Sequence, residues 1–504
     1  MKQNRIEKIA IVGGGVAAWA SAACISDALR GQLVEIKVID AHTDQVPGIE
    51  ATLPITQAFN QRLGINEQTL MRETAASFSL GIQFNDWRGP GLSYFQPMAA
   101  HGASIEFVMF HQYAIKARLK GDETPFNQYS LCAMAALKDK FAHPAMDPES
   151  ILSTLLYAHH LDAQRYVKFL RDYAMSNGVG ELEANLTDLQ IDPENGFITS
   201  ISLNSGESLI ADLFIDCSGH AAELLGQLPD ASYEDWSHLL PANRVVSACG
   251  EVLDTRPCSS ISALDSGWYQ CLATQHIQEH RLIYCDRHLE DSDALAVLRK
   301  TVGNSGLSEP VIRSFVAGHR SNAWTGNCIS IGSSAGAFEP IAGTSLALIQ
   351  SGLMRLVSMF PDKDCNSLLA DEFNRLSKAE HENIRDFLIL QYRASKRGDS
   401  PFWKDYLAHE VPSSLAHKIE LFRAQGQVAF YEQESLPDAN WASVWLGQDQ
   451  WPQAYDPMLD NYDFDRLVDR FNQMKQLISE AVEAMPPHAE FLHQFCPATP
   501  LRTR

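Results

Sequence analysis

Three consecutive glycines near the start of the chain have the composition and spacing of a phosphate-binding turn. Gly13, Gly15 and Ala18 form the pattern G-x-G-x-x-A, whose third position must be small so that the following helix can pack on the preceding strand. The backbone N–H groups of such a turn lie at a helix N-terminus, where they can approach a pyrophosphate. Asp40 follows Ala18 by about 20 residues, where a carboxylate can accept a hydrogen bond from a ribose hydroxyl. The pattern predicts a dinucleotide site; the alternative is a glycine-rich turn without a ligand.

The elements that would position this turn are visible in the hydrophobic pattern. An apolar run at residues 9–12 predicts a buried parallel strand, an Ala-rich pattern after the glycines predicts a helix, and a second apolar run ends at Asp40. Two later segments have similar features: residues 212–219 form an apolar strand pattern, and residues 328–353 run from a strand into an apolar helix. We therefore expect a dinucleotide domain assembled from three separated segments, with the intervening insertions holding the substrate.

The composition limits the classes of protein and partner. The chain has 504 residues, of which 45% are hydrophobic and 20% are charged, as in an ordinary globular protein of several lobes. Its formal net charge of -22 argues against nucleic acid or an anionic membrane as a partner. We find neither a signal peptide pattern nor an apolar run of about 18 residues, so we expect a cytoplasmic location. The ten cysteines are scattered without a C-x-x-C pair, as expected for reduced thiols.

Metal binding has little support in the sequence. The adjacent pair His159 and His160 is the most suggestive group, but no third ligand stands at a telling spacing. We predict that these histidines pack or cap and that the chain has no metal site. An apolar stripe along residues 465–485 indicates a core or an interface, which makes a homodimer a candidate assembly.

The remaining patterns give a coarse assignment of secondary structure. Helices are predicted at residues 55–76, 161–174, 380–395 and 465–485, and β-structure at residues 78–84, 186–210 and 243–286.

Several ordered segments together resemble the flavin-dependent tryptophan halogenase family, and the resemblance covers nearly the whole chain. They are GGGVAAW at 13–19, where the family has G-G-G-x-A-G-W, EATLP at 50–54 for G-E-A-T-x-P, FSLGIQF at 78–84, DLFIDCSG at 212–219, FEP at 338–340, RDF at 385–387, RGDSPFW at 397–403 and MPPH at 485–488.

The resemblance implies an α/β fold: a split Rossmann-like FAD-binding domain of the flavoprotein monooxygenase type, with a β-rich insertion and a mainly helical C-terminal substrate module. The expected division is a first FAD-binding segment at 1–110, a helical and β insertion at 111–210, a second FAD-binding segment at 211–242, a β-rich substrate-side region at 243–320, a third FAD-binding segment at 321–360 and the helical module at 361–504.

The resemblance also implies FAD as the cofactor, with its reduced form supplied by a separate flavin reductase, and a small aromatic substrate. Chloride or bromide is an additional candidate ligand. Enzymes of the family convert the halide to hypohalous acid, which passes through an internal tunnel to the substrate. The expected FAD-binding residues are Gly13, Gly14, Gly15, Ala17, Ala18, Asp40, Ala51, Thr52, Gly332, Ser333, Pro340, Thr344 and Ser345. The expected substrate-cavity residues are Trp268, Phe338 and Glu339.

The chain departs from the family at the positions that carry the halogenating chemistry. Ser79 occupies the position of the family's lysine in F-K-L-G, and Ala342 occupies that of the glutamate after E-P-L. A serine cannot replace an amine nucleophile, and an alanine cannot accept a proton. No lysine stands between Lys37 and Lys116, so a shifted alignment supplies none.

Two further departures affect the flavin and substrate motifs. Ser333 replaces the aspartate of the family's G-D-A, and the W-x-W-x-I-P motif keeps Trp268 but has Gln270 at the second tryptophan. We therefore expect an FAD-dependent oxidoreductase acting on an indole-like or other aromatic substrate, for example by hydroxylation. The alternatives are a halogenase whose catalytic groups have moved to acids such as Glu50 or Glu339, and a non-catalytic FAD-binding homologue.

Overall fold

The computed structural model describes residues 4–40, 47–105, 107–303, 306–341 and 343–499. The chain divides into two compact units. Unit 1 consists of Met1–Thr74, Leu161–Ser237 and Ser314–Glu382, and unit 2 of Ala75–His160, His238–Arg313 and Asn383–Arg504. The finer division into six segments stays a prediction.

The strands of the described residues are numbered in chain order. They are β1 (Lys8–Val12), β2 (Glu35–Asp40), β3 (Ile49–Ala51), β4 (Ser77–Ser79), β5 (Gly81–Asn85), β6 (Tyr94–Pro97), β7 (Ala158–Asp162), β8 (Gly180–Glu183), β9 (Leu186–Ile191), β10 (Ile198–Leu203), β11 (Ser208–Leu209), β12 (Leu213–Asp216), β13 (Tyr233–Asp235), β14 (Arg244–Gly250), β15 (Ser259–Leu264), β16 (Gly267–Ala273), β17 (Gln278–Tyr284), β18 (Val311–Ser314), β19 (Gly318–Arg320), β20 (Trp324–Thr325), β21 (Cys328–Ser330) and β22 (Gly336–Ala337).

The α-helices are numbered in the same way. They are α1 (Val16–Ala28), α2 (Thr56–Arg62), α3 (Glu67–Glu73), α4 (Phe110–Leu119), α5 (Leu131–Leu137), α6 (Ala163–Ser176), α7 (Asp291–Val302), α8 (Thr344–Ser358), α9 (Ser367–Arg393), α10 (Pro401–Ala408), α11 (Ser413–Gln425), α12 (Asp438–Gly447), α13 (Phe464–Ala484) and α14 (His488–Phe495). Short 3-10 helices lie at Phe126–Tyr129, Ile151–Thr154, Gly219–Ala221, Leu225–Gln227, Gly332–Ser334 and Pro457–Leu459.

Unit 1 is built on a six-stranded sheet with the order β20-β21-β12-β1-β2-β8. All neighbours from β21 to β8 are parallel, and only the edge strand β20 is antiparallel. Four of the five residues of β1 are buried, as expected for a central parallel strand covered on both faces. The strands β1, β12 and β21 come from three separated segments and lie side by side, which confirms the predicted split α/β fold.

A second layer of unit 1 covers this sheet. The predicted β-structure at 186–210 is the antiparallel sheet β11-β10-β9. Its apolar residues Leu189 and Ile201 join Phe214 of β12 and Leu225 in one buried cluster. This cluster packs against the parallel strands and holds them in place.

Unit 2 contains a seven-stranded sheet with the order β18-β14-β17-β16-β15-β5-β6. Strands β14 to β17 form an antiparallel arrangement that corresponds to the β-structure predicted at 243–286, and β15 pairs with β5 in parallel. Helices α10 to α14 belong to this unit as well, as the helical pattern of the C-terminal residues predicts.

Two predicted helices differ from the observed ones. The helix predicted at 55–76 is interrupted between α2 and α3, because Gly64 adopts a positive φ of 68° that ends the first helix. The helix predicted at 380–395 is the C-terminal half of the longer α9. The helix predicted at 465–485 matches α13 to within one residue at each end. No helix among the described residues is long and apolar enough to cross a membrane.

Candidate functional site

The glycine turn between β1 and α1 is shaped by close backbone contacts within unit 1. Gly13 has a φ of +131°, and a Cβ at this position would lie 2.3 Å from the carbonyl oxygen of Cys217. A Cβ at Gly14 would lie 1.9 Å from Oδ1 of Asp40, whereas a Cβ at Gly15 would meet no described atom within 4 Å. Gly13 and Gly14 are therefore required by packing, and Gly15 leaves the helix N-terminus open to a ligand.

The turn opens into a cavity of about 490 Å³ at the carboxyl ends of the parallel strands. Such an edge is where doubly wound sheets bind their ligands. The predicted site residues that line the cavity are Gly13, Gly14, Gly15, Ala17, Gly332, Ser333, Phe338 and Ser345. The structure thus brings together residues from three segments that are far apart in the sequence.

The other predicted cofactor residues lie in unit 1 outside the cavity lining. Ala18 is buried in α1, Thr344 is buried in the first turn of α8, and Asp40 is buried at the end of β2. The carbonyl oxygens of Ala51 and Thr52 lie against Gly343, each 3.3 Å from where its Cβ would be. The roles of all these residues in cofactor binding stay predictions.

The cavity has further lining residues that the sequence patterns do not assign to the site. Asn185 and Leu186 follow β8, which pairs in parallel with β2. Glu50 of β3, which the halogenase alternative names as a relocated acid, also lines the cavity. His220 and Glu223 come from the turn after β12. Asn185 lies between the partly exposed edge strand β8 and the following strand β9, Leu186 is the first residue of β9, and no local sequence pattern marks them as cavity residues.

A buried carboxylate organises this turn after β12. Oδ1 of Asp216 accepts hydrogen bonds from the backbone N–H and hydroxyl of Ser218, at 3.0 and 2.6 Å. Oδ2 accepts from the backbone N–H groups of Leu224 and Leu225, at 3.0 and 2.8 Å. Because Ser218, Gly219 and His220 line the cavity, Asp216 fixes one of its walls from behind.

Burial is the main cause of the pKa shifts of His220, Glu223 and Cys217 in the cavity wall. Burial lowers the pKa of His220, which favours the neutral imidazole. Burial, followed by the neighbouring Asp216 carboxylate, raises the pKa of Glu223. Burial also raises the pKa of the Cys217 thiol, which favours its protonated form at neutral pH.

The cavity fits the dinucleotide that the sequence predicts. The free N–H groups at the start of α1 and the positive end of its dipole favour a pyrophosphate. Gly332 has a φ of +77°, and a Cβ there would come within 3.0 Å of the Cβ of Ala17, so the loop after β21 packs closely on α1. The loop and α1 together leave a cradle without bulky side chains.

The predicted substrate residues belong to both units. In unit 1, Phe338 lines the cavity and its ring lies 5.9 Å from that of Trp236, while Glu339 is fully buried. Pro340 follows Glu339 in the same unit, and Ala342 lies outside the described residues.

In unit 2, Ser79 is the last residue of β4 and is buried. Its hydroxyl donates a hydrogen bond to the carbonyl oxygen of Gly81 at 3.3 Å. Trp268 in β16 is also buried, and its Nε1–H donates to the hydroxyl of Tyr392 at 2.9 Å. Both side chains therefore have structural contacts in their own unit.

The histidine pair lies on β7. Nε2 of His160 contacts the hydroxyl of Ser259 at 2.9 Å, and Nδ1 contacts the carbonyl oxygen of Ala273 at 3.2 Å. Burial lowers the pKa of His160 to about 4. In the part of the chain that the structure describes, no group of three or more His, Cys, Asp or Glu residues could hold a metal ion.

Comparison with known proteins relates this architecture to one family. The family model described as tryptophan halogenase matches residues 8–463. The chain is 31% identical to tryptophan 6-halogenase ThaL of Streptomyces albogriseolus over 444 residues, which cover 84% of this chain and 82% of that protein. It is 28% identical to tryptophan 7-halogenase RebH of Lentzea aerocolonigenes, with 97% and 99% of the two chains covered.

Two solved structures have nearly the same fold. BrvH, a flavin-dependent halogenase from Brevundimonas sp. BAL3, superposes with a TM-score of 0.93 at 35% identity, covering 98% of this chain and all of its own. Xcc4156, a flavin-dependent halogenase from Xanthomonas campestris, gives a TM-score of 0.93 at 32% identity, with 98% and 99% covered. The matched family model, the shared fold and the dinucleotide cradle lead to one conclusion: the chain belongs to the tryptophan halogenase family of flavin-dependent enzymes.

Proposed function

We propose that the protein is an FAD-dependent oxidoreductase that acts with reduced FAD and molecular oxygen on an indole-like or other small aromatic substrate. The observation that carries this proposal is the cradle of unit 1, where Gly13 and Gly14 touch Cys217 and Asp40 and Gly15 stays open. The tryptophan halogenases among its relatives support an aromatic substrate.

Residues from different segments of the chain would hold different parts of FAD. The N–H groups of Gly14, Gly15 and Ala17 at the start of α1 would bind the pyrophosphate, and Asp40, buried against Gly14, would hold this turn in place. Gly332, Ser333 and Ser345 line the opposite wall, from the loop after β21 to the start of α8. When bound and reduced, FAD would supply the electrons that activate oxygen. A separate flavin reductase would deliver it, as the resemblance implies.

The chain lacks the lysine that the family uses for halogenation, because Ser79 stands at its position. Ser79 has no amine, and its hydroxyl is already engaged with Gly81. A serine in this environment can position a neighbouring group by hydrogen bonding but cannot carry a reactive halogen on nitrogen. We therefore propose oxygen transfer to the aromatic substrate as the reaction.

A second candidate is halogenation by relocated groups. It is favoured by the identities of 35% and 32% to proteins named flavin-dependent halogenases. Glu50 in the cavity wall and the buried Glu339 are carboxylates that could take the place of the missing glutamate as proton acceptors. Halide would then be a second substrate.

One experiment separates these candidates. The purified protein is first titrated with FAD, and uptake is followed by the quenching of flavin fluorescence. It is then incubated with a flavin reductase, NADH, oxygen, bromide and a panel of indoles, and the products are examined by mass spectrometry. A product with one added oxygen supports the proposal, and a bromine isotope pair supports halogenation instead. FAD uptake with hydrogen peroxide as the only product points to uncoupled or lost chemistry.

A further inference from the structure

The dinucleotide cavity of unit 1 is lined by acidic side chains but, among the described residues, by no lysine or arginine. Its carboxylates are Glu50 and Glu223, and its imidazole is that of His220. Residues 41–46 and Ala342, which lie outside the described residues, include no lysine or arginine either. Phosphate groups are commonly held by such side chains, which keep their positive charge at neutral pH. Within the described lining, a bound pyrophosphate therefore meets no permanently charged cation.

Two arginines of unit 1 lie near segments that form the cavity wall, but both are engaged outside it. Nη2 of Arg320 lies 3.3 Å from where a Cβ of Gly226 would be, and its Nη1 donates to the carbonyl oxygen of Ala231 at 2.8 Å. Nε of Arg171 donates to the carboxylate of Glu181 at 3.1 Å. Neither arginine is among the lining residues, so their charges are directed to acceptors of the protein itself.

His220 and Glu223 are presented by a fixed turn next to the glycine motif. The carboxylate of Asp216 holds this turn from behind, and the N–H of Glu223 donates to the hydroxyl of Ser218 at 2.7 Å. The turn begins at Cys217, whose carbonyl oxygen would lie 2.3 Å from a Cβ at position 13. Both side chains line the cavity and are exposed to it. A ligand that fills the cavity therefore reaches both of them.

A pyrophosphate in this cavity would be poorly compensated in charge. Both of its phosphate groups are ionised at neutral pH, whereas the dipole at the start of α1 supplies only about half an elementary positive charge. The carboxylates of Glu50 and Glu223 add further negative charge to the same lining. Nearby negative charge raises the pKa of an imidazole and of a carboxyl group alike. Proton uptake by the protein is the compensation that these side chains can provide.

The surroundings of the two side chains favour this uptake. Burial lowers the pKa of His220, so its imidazole is mainly neutral at pH 7 before a ligand binds and can accept a proton. Burial and the Asp216 carboxylate of β12 raise the pKa of Glu223. Glu50 faces the cavity from β3, and Arg320 lies on the far side of the turn, at Gly226. The described lining residues of the glycine turn, of α8 and of the loop after β21 have no ionisable side chain.

We propose that His220 and Glu223 together take up about one proton from solvent when FAD binds, and that this proton replaces the basic side chain that the cavity lacks. The inference rests on the proposed function, because it concerns the same FAD cavity. As an imidazolium, His220 has a donor on each ring nitrogen and can donate to a phosphate oxygen. As a neutral carboxyl group, Glu223 no longer repels the phosphate. The FAD-bound protein holds more protons than the free protein, so FAD binding strengthens as the pH falls.

Isothermal titration calorimetry measures the proton uptake directly. Oxidised FAD is titrated into the purified protein, with EDTA present, in two buffers that differ in ionisation enthalpy; the difference in the measured heats gives the number of protons bound. We expect about one proton per FAD near pH 6.5 and much less near pH 8.5, with an affinity about tenfold higher at the lower pH. No measurable proton uptake at either pH, or an affinity independent of pH, would overturn the proposal.

Variants locate the proton. Glu223→Gln removes a repelling charge and should strengthen FAD binding severalfold near pH 8.5 while reducing the uptake near pH 6.5. His220→Gln should weaken binding only near pH 6.5. Glu207→Gln, at an exposed acid between β10 and β11 of the same unit, should retain the wild-type uptake and affinity. Wild-type proton uptake in the double variant of His220→Gln and Glu223→Gln would contradict the assignment. The melting temperature without FAD shows whether each variant is folded, and the proton count of the wild type does not depend on any variant.

Failure of this inference can be told apart from failure of the proposed function. FAD binding without proton uptake, or an affinity that rises only when EDTA is replaced by Mg²⁺, overturns the inference and leaves the FAD-dependent function standing. The second result would mean that a metal ion compensates the pyrophosphate. Absence of FAD binding at every pH overturns both proposals. Because oxidised FAD is titrated without reductase or substrate, none of these outcomes depends on turnover.

Discussion

The Cα atom of Gly14 lies directly against the carboxylate of Asp40: a Cβ at this glycine would fall 1.9 Å from Oδ1. The adjacent Gly15 has no such neighbour among the described atoms. Two consecutive glycines of one motif therefore serve different purposes. Gly14 allows the turn to close on the end of β2, and Gly15 leaves room for what binds there.

Alanine substitutions should separate these two roles. Gly14→Ala should lower the melting temperature of the FAD-free protein, because its Cβ overlaps the Asp40 carboxylate. Gly15→Ala should leave that melting temperature unchanged but weaken FAD binding about tenfold or more, because a methyl group intrudes on the pyrophosphate position. Thermal unfolding and flavin titration measure the two effects. Equal effects of both substitutions on both quantities would contradict this division.

The carboxylate of Asp216 should be essential for the stability of unit 1. Asp216→Asn turns an amide donor toward N–H or O–H donors, and we expect it to lower the free energy of unfolding by about 3 kcal/mol. Urea unfolding measures the change. Asp188→Asn is the matched control, since Asp188 is exposed and its hydrogen bond to Gln190 contributes little. A change in Asp216→Asn no larger than that of the control would refute the role of the network.

The stability of the protein should fall on mild acidification, partly through His488. Its Nδ1–H donates to the carbonyl oxygen of Thr255 at 2.6 Å, and its Nε2 accepts from the backbone N–H of Phe78 at 3.3 Å. This arrangement holds the neutral imidazole, and burial lowers the pKa of His488 to about 4. An unfolded histidine titrates near pH 6.5, so the unfolded state binds more protons between about pH 6.5 and 4.

The contribution of His488 to the free energy of unfolding therefore rises with pH between about pH 4 and 6.5 and is lost as the pH falls through this range. Between pH 7 and pH 5 the contribution of His488 should decrease by about 2 kcal/mol. His488→Gln should therefore show a flatter pH dependence of the free energy of unfolding. His493→Gln, at an exposed position of the same helix, should keep the wild-type slope. An identical slope in all three proteins would exclude His488 as a contributor.

The residue at position 79 should determine whether the protein can carry out lysine-assisted halogenation. Ser79→Lys, alone or with Ala342→Glu, should create or increase bromination of an indole in the presence of reductase, NADH, oxygen and bromide. Ser79→Ala is the control and should not do so. Mass spectrometry of the products detects the bromine isotope pair. Folding of the Lys variant must be verified, because Ser79 is buried and a lysine there has to displace or hydrate its surroundings.

Local patterns predicted those regions of the fold that depend on neighbouring residues in the chain. The apolar run before Gly13 became β1, and the stripe of Leu467, Phe471, Ile478 and Val482 became the buried face of α13. The continuous helix predicted across Gly64 was wrong. The prediction followed the spacing of the apolar residues, whereas Gly64 has a positive φ and ends α2.

The contacts that depend on distant pairing were not predictable in this way. Asn185 and Leu186 reach the cavity only because β8 pairs with β2. The partners of Asp449 come from three places in the chain, Arg88, Arg118 and Lys396, none of which belongs to a recognisable motif. The tertiary fold brings these residues together, and no spacing in the sequence predicts their contacts.

The pairing of β12 with β21 has a consequence for biosynthesis. β1 and β2 leave the ribosome early, but the sheet that contains them is completed only when residues 328–330 have emerged. Until then the nascent chain holds an unfinished parallel sheet with an open hydrogen-bonding edge, a state that favours aggregation and chaperone binding. The same pairing means that a chain truncated before β21 would lack the strand beside β12 and the loop that carries Gly332 and Ser333, however much of the glycine motif it retained.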